Sequence, residues 1–425
     1  MEGRSQQKGG GAHLVQARIS LSRMFAYSSA SLGMGLFYAF NNFTLPLFLR
    51  SYTSNDALIG ILSSTRSFEG AIVQPVIGAW SDRIWTPLGR RTPFFLLGMP
   101  IVVALLIYCS TRPSFVLLIA AILFFTLIFN IGVDPYIALQ SDIAPPGQRS
   151  TLNSIATLFI AVGQLSFALI SGLILWDINP AYCFYFVGGG MFLTYLITSS
   201  GIKERRESVE IRQPMRLKEH LKSLPNYPEA LKFFVSQLLL WFGINAATPF
   251  LTLFASREVP GVSAGVAQIL AALLLGLTAL CAVPVGVLGD RISRKRLLQF
   301  GLALFGVAAL VVAFFVKSLP LLALLIVAIG IGNTFHTVLS YPLLTELAPH
   351  ERIGEFWGIN TFFSSSGAIF SAALAGWLAD IFGTYRAVFV LTGVCMLAAM
   401  IVLQFVHPGR VANGESPASV DIGDV

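Results

Sequence analysis

Three ionisable side chains stand in stretches otherwise too apolar to hold them. Arg66 and Glu69 lie three residues apart in "STRSFEGAIV", and Asp134 directly precedes Pro135 in "NIGVDPYIALQ". Residues three apart share a helix face, so Arg66 and Glu69 can form a neutral pair within one helix. They can also move protons. Burial strengthens a carboxyl's hold on its proton and a nearby guanidinium weakens it. A protein that changes the distance between the two therefore takes up and releases protons. Arg66, Glu69 and Asp134 are the candidates for proton coupling.

A second group is neutral and polar. Gln237, Trp241, Asn245 and Thr248 are spaced four, four and three residues apart, which makes one helical stripe. Tyr38, Asn41, Asn42, Asn130, Asn333 and His336 lie in other apolar stretches. Amides satisfy hydroxyls, and an aromatic face packs on sugar C–H groups. The same amides can instead join helix to helix.

A third group is a charged knot, "GAWSDRIWTPLGRR", holding Gly78, Asp82, Arg83, Arg90 and Arg91. A shorter copy, "GVLGDRISRKR", holds Gly286, Asp290 and Arg291 at a constant offset of 208. The glycines would let helices pack closely. Asp82 could meet the positive end of a neighbouring helix or an Arg across an internal interface. Arg83, Arg90 and Arg91 could hold carboxylates or lipid headgroups. Such a network suits a conformational latch, and the alternative is a basic loop that only fixes topology.

These groups must be positioned by membrane-spanning helices. The 425 residues are 55% hydrophobic and 12% charged, about half the charge of an ordinary soluble domain. Apolar runs of about 20 residues recur, and the short alternating segments of a β-barrel are missing. The expected spans are 24–49, 57–81, 93–111, 114–140, 150–175, 181–201, 229–256, 263–288, 297–316, 319–346, 353–378 and 384–406. The expected domains are an N-tail (1–23), a six-helix bundle (24–201), a linker (202–228), a second six-helix bundle (229–406) and a C-tail (407–425). Of 28 Lys and Arg, 22 fall on the side of the tails and linker. Arg50, Arg112, Arg257, Lys317 and Arg386 fall on the other side, and Arg66 lies within a span. Basic residues mark the cytosolic side, so both termini are expected there.

The halves repeat in a further place. "DIAPPGQR" from Asp142 matches "ELAPHER" from Glu346 with one gap, and each follows the fourth span of its half. Pro135 and Pro342 lie late in those spans. A duplicated unit with interrupted helices at corresponding places points to a secondary transporter.

The paired knots resemble those of the major facilitator superfamily, at the same topological positions. The resemblance implies an all-α membrane protein of twelve transmembrane helices in two pseudo-symmetric six-helix bundles. It also implies a cavity lined by spans 1, 4, 7 and 10. "GAIVQPVIGAWSDRIWTPLGRRTPFF", "LFIAVGQLSFALISG" and "PYIALQSD" further resemble the sucrose–proton symporters and their glycoside-transporting relatives. The likeness covers most of the first half, and the second half in outline. Plant sucrose carriers usually have an Arg where this chain has Ile137. Multidrug antiporters of the superfamily tend to carry a Gly–Pro motif in helix 5, where span 5 has Gly163 and Gly172 but no Pro.

The expected function is proton-coupled symport of a sugar or glycoside by alternating access. The alternatives are proton-driven efflux of hydrophobic or drug-like compounds, and a non-transporting membrane sensor or assembly factor. No phosphate loop, nucleotide motif, metal-ligand cluster or Ser–His–Asp constellation occurs, so no enzymatic activity, cofactor or metal is expected. Cys109, Cys183, Cys281 and Cys395 are widely spaced in apolar runs and suit packing. The expected partners are a small-molecule substrate, protons and membrane lipids, anionic on the cytosolic side. No nucleic acid is expected, and the chain is expected to act as a monomer in a cell membrane.

Overall fold

A computed structural model describes residues 19–81, 85–202, 204, 227–349 and 352–407. They form twelve long helical segments and no strand among the described residues. The first half holds α1 (Leu21–Ala39, a π turn Phe40–Thr44, then Leu45–Leu49), α2 (Asp56–Ser81), α3 (Thr92–Ser110) and α4 (Phe115–Ile143). It continues with α5 (Arg149–Ile170, a π turn Ser171–Leu175, then Trp176–Ile178) and α6 (Ala181–Gly201). The second half holds α7 (Pro228–Ala247, a 3-10 turn Thr248–Phe250, then Leu251–Glu258), α8 (Ala264–Arg291) and α9 (Arg294–Phe315). It ends with α10 (Leu319–Leu347), α11 (Ile353–Ser366 and Ala368–Phe382) and α12 (Arg386–Gln404).

Eleven of these segments are long and apolar enough to cross a membrane, and α2 adds 26 residues. The chain is an integral membrane protein. Local chemistry sets the boundaries. Ser20 and Ser263 cap the starts of α1 and α8 through their hydroxyls. Proline stands in the first turn of α3, α7 and α10, where its missing N–H costs nothing. Gly383 closes α11 in the left-handed region.

The two halves pack alike. In the first, α1 lies against α5 and α6, α3 against α4 and α6, and α2 against α4. In the second, α7 lies against α11 and α12, α9 against α10 and α12, and α8 against α10. Every pairing maps onto its counterpart by adding six to the helix number. Between the halves, α2 meets α11 and α5 meets α8, again a symmetric set.

The helix interruptions fall elsewhere than the prolines suggested. Pro135 and Pro342 sit inside unbroken helices. α11 is broken at Gly367, and the irregular turns of α1, α5 and α7 lie close to where the halves touch. There Thr252 donates to the Phe43 carbonyl at 2.9 Å, and Gln268 accepts from Thr44 at 2.7 Å and from Ser171 at 2.5 Å. π turns often mark functional positions.

Candidate functional site

Glu69 is half-buried on α2, with the Thr126 hydroxyl of α4 as a hydrogen-bonding neighbour. Its Oε2 is enclosed and has no hydrogen-bond partner among the described residues. Asp134 is half-buried on α4, one helical turn after the buried Asn130. The Arg66 side chain lies outside the described residues, so the Arg66–Glu69 pair has no geometry here. Thr126 thus sets Glu69 of α2 against α4, and Asp134 lies eight residues further along α4, about 12 Å at 1.5 Å per residue; both carboxyls stand within long apolar segments. Such carboxyls are functional candidates because a charge there is costly. Thr126 was not expected. Its position four residues before Asn130 was a signal that could have found it.

The amide set divides. Asn41 donates to the Ser63 carbonyl at 2.9 Å and so ties α1 to α2. Asn333 donates to the Thr278 hydroxyl at 3.3 Å and ties α10 to α8. Gln237 donates to Ser340 at 3.1 Å, and Ser340 also meets His336 Nδ1 at 2.9 Å. Trp241 stands edge-on to the His336 ring, with centroids 5.3 Å apart. Gln237, Ser340, His336 and Trp241 therefore form one polar and aromatic cluster between α7 and α10. Asn42, Asn245 and Tyr38 are half-buried, and Tyr38 packs edge-on against Phe129. Ser340 is the member that spacing missed, although it lies one turn beyond His336.

The charged knot is built inward. Asp142, at the end of α4, accepts from Arg90 Nη2 at 2.8 Å and from Arg91 Nε at 2.5 Å. The two arginine side chains are 6% and 7% exposed. They face the protein and not lipid headgroups, contrary to one expected role. Glu204 receives the backbone N–H groups of Arg90, Arg91 and Thr92, at 2.7, 3.1 and 2.8 Å, and the Thr92 hydroxyl at 2.7 Å. It thereby caps the start of α3, where the helix dipole favours a carboxylate. Gly89, at φ 110°, makes room for it, because a Cβ there would fall on the Glu204 carboxylate. Asp82 and Arg83 lie outside the described residues, as does the side-chain environment of Gly78.

The second copy differs. Arg294 pairs with Glu346 at 2.6 Å and lies 3.5 Å from Asp290, whose side chain is 78% exposed. Arg291 is exposed as well. The close packing expected of Gly286 belongs instead to Gly289. A Cβ on Gly286 would make ordinary contact with Val338 at 3.8 Å, whereas one on Gly289 would overlap the Leu339 side chain.

In both halves, then, the two repeated motifs meet: Arg90 and Arg91 hold Asp142, and Arg294 holds Glu346. This architecture matches a known one. The model of the Major Facilitator Superfamily matches residues 25–280 and 233–421. The chain belongs to the Major Facilitator Superfamily.

Among curated members of the superfamily, the chain is similar to the multidrug resistance protein MdtG of Dickeya zeae. The two are 28% identical over 347 residues, covering 78% of this chain and 80% of the other. MdtG of Enterobacter lignolyticus is 27% identical over 365 residues, covering 83% and 84%. Among solved structures, the nucleoside transporter NupG (D323A mutant) superposes with a TM-score of 0.73 at 12% identity, covering 90% of this chain and 99% of that one. A bacterial homologue of the human lysosomal transporter Spinster, in an inward-facing and occupied conformation, gives 0.71 at 16% identity, covering 92% and 96%. These structural likenesses show that the chain shares their fold.

Proposed function

We propose that this superfamily member is a secondary transporter that expels hydrophobic or drug-like compounds, driven by protons entering through the α2–α4 carboxyls. The observation that carries this reading over sugar symport is the commitment of the amides. The side-chain donors of Asn41, Gln237 and Asn333 are engaged within the protein, and the oxygens of Asn41 and Gln237, which have no hydrogen-bond partner among the described residues, are enclosed away from a polyol. A polyol would need such groups to face the cleft. What stays half-buried is mixed: the amides Asn42, Asn245 and Asn333 beside Tyr38 and Trp241, whose rings supply the lining that suits apolar ligands. The MdtG relatives favour the same direction. With the basic side in the cytosol, the termini and the linker lie there, and compounds enter from that side. The sucrose-type stretches of the first half then reflect the shared scaffold.

The test uses proteoliposomes with an imposed pH gradient. A lipophilic fluorescent cation should be moved against its gradient, and neutral disaccharides should not. Glu69→Gln should abolish gradient-driven movement yet spare exchange at equal concentrations, because Gln keeps the shape but carries no titratable proton. Full gradient-driven movement by Glu69→Gln would make Asp134 the leading proton site. Uptake of disaccharides without dye movement would restore the sugar reading.

A further inference from the structure

The contact between α2 and α11 contains a helix cap made across the two halves. Asp380, in the last turn of α11, accepts from the Asp56 N–H at 2.9 Å and from the Ala57 N–H at 3.0 Å. The next N–H, of Leu58, goes to the Asn55 side chain at 2.8 Å. The first N–H groups of a helix have no partner within the helix. At α2, two of them are satisfied only while the second half is in place. The Asp56 carboxylate adds a second link, accepting from the Tyr385 hydroxyl at 2.9 Å and from Arg50 at 2.8 Å. Glu258 receives the Thr384 hydroxyl at 2.8 Å and the Tyr385 N–H, so it fixes the loop that carries Tyr385. These groups border a cavity of about 370 Å³ that also includes Arg257 and Ser54.

The geometry points to Asp380 as a positioning residue for alternation: its carboxylate, seated on the α2 N-terminus, holds this end of the bundle closed, and the end opens only when that cap is released. A carboxylate facing two backbone N–H groups makes charge-assisted bonds. The helix dipole favours it further. Parting of the halves leaves both N–H groups and the carboxylate to water, so the links favour the closed state alone. They involve no group of the α2–α4 carboxyl cluster, and the test below uses no substrate. Failure of the efflux reading would therefore leave its outcome unchanged.

The test is labelling of the full chain in detergent, with a cysteine at position 63. Ser63 is buried on α2, one turn beyond Gly60, which abuts the Ala372 carbonyl of α11. Its hydroxyl has no hydrogen bond, so Ser63→Cys removes none. Cys109, Cys183 and Cys395 are buried and Cys281 is half-buried, and the parent chain supplies the background. Adding Asp380→Ala should speed maleimide labelling of Ser63→Cys about tenfold or more, the change that loss of one charge-assisted hydrogen bond makes in an equilibrium. Asp380→Asn should also speed it, because an amide cannot accept from both N–H groups through two oxygens. Tyr385→Phe should give a smaller gain. Asp380→Ala without the introduced cysteine reports unfolding. If that control labels, Asp380→Asn decides. Labelling at the parent rate in a folded Asp380 variant would overturn the assignment. So would a gain with Tyr385→Phe and none with Asp380→Asn.

Discussion

The two copies of the charged motif began as the same design and serve different environments. In the first half, Arg90 and Arg91 share Asp142 in a site almost closed to solvent, and Glu204 covers the backbone beneath them. In the second half, Arg294 reaches Glu346 with both side chains about a third exposed, at 30% and 37%. Coulomb attraction between exposed charges is weakened by water and salt. Inside the protein the same attraction is stronger, but each charge depends on its partner. Burial therefore makes the first copy the more costly of the two to break. The second is a contact that can be made and broken cheaply.

The sharpest way to break this comparison is to remove the acid from each copy. Asp142→Ala leaves two buried guanidinium groups without their carboxylate, and should destabilise by about 3–5 kcal/mol. Glu346→Ala should cost about 0–1 kcal/mol, and less at high salt. Thermal unfolding in detergent measures both, and similar melting temperatures for the two variants would mean that burial does not separate the copies. Packing around the second copy comes next. Gly289→Ala should destabilise by about 1–3 kcal/mol because Leu339 must move, while Gly286→Ala should lie within about 0.5 kcal/mol of the parent. Equal effects would return the close-packing role to both glycines. The third comparison is at the cap. Glu204→Ala should cost about 0.5–2 kcal/mol, the value of a helix cap. In hydrogen exchange, the start of α3 should lose protection while the start of α9 does not change.

Much of the fold was legible because lipid imposes a simple rule. Every backbone polar group must be satisfied within its own segment, so apolar length alone marks a helix. The structural segments follow the expected spans to within a few residues at most ends. The repeats were legible for a similar reason, since loops in corresponding places keep corresponding charges. Asp142 and Glu346 were seen as one repeat and the arginines as another. That the two repeats touch each other was not visible, because it depends on how α3 and α4 pack.

The candidate site was less legible. Glu69 and Asp134 stand out in sequence because charge at membrane depth is rare. Asn41, Gln237 and Asn333 look like substrate groups until their partners are known. An amide that lines a cleft and an amide that joins two helices have the same spacing. Only the positions of Ser63, Ser340 and Thr278 distinguish the cases.

The sequence by itself determined the membrane class, the helix count and the duplication, because these rest on local composition read against the cost of transfer into lipid and on motifs repeated along the chain. The tertiary structure decided which charges became joints and which stayed on the surface. It placed the irregular turns of α1, α5 and α7 where the halves meet, and left Pro135 and Pro342 inside unbroken helices. It also put Asp380 on the first turn of α2, more than 300 residues away in the chain. No spacing rule reaches that far, because the contact exists only when two separately folded bundles come together.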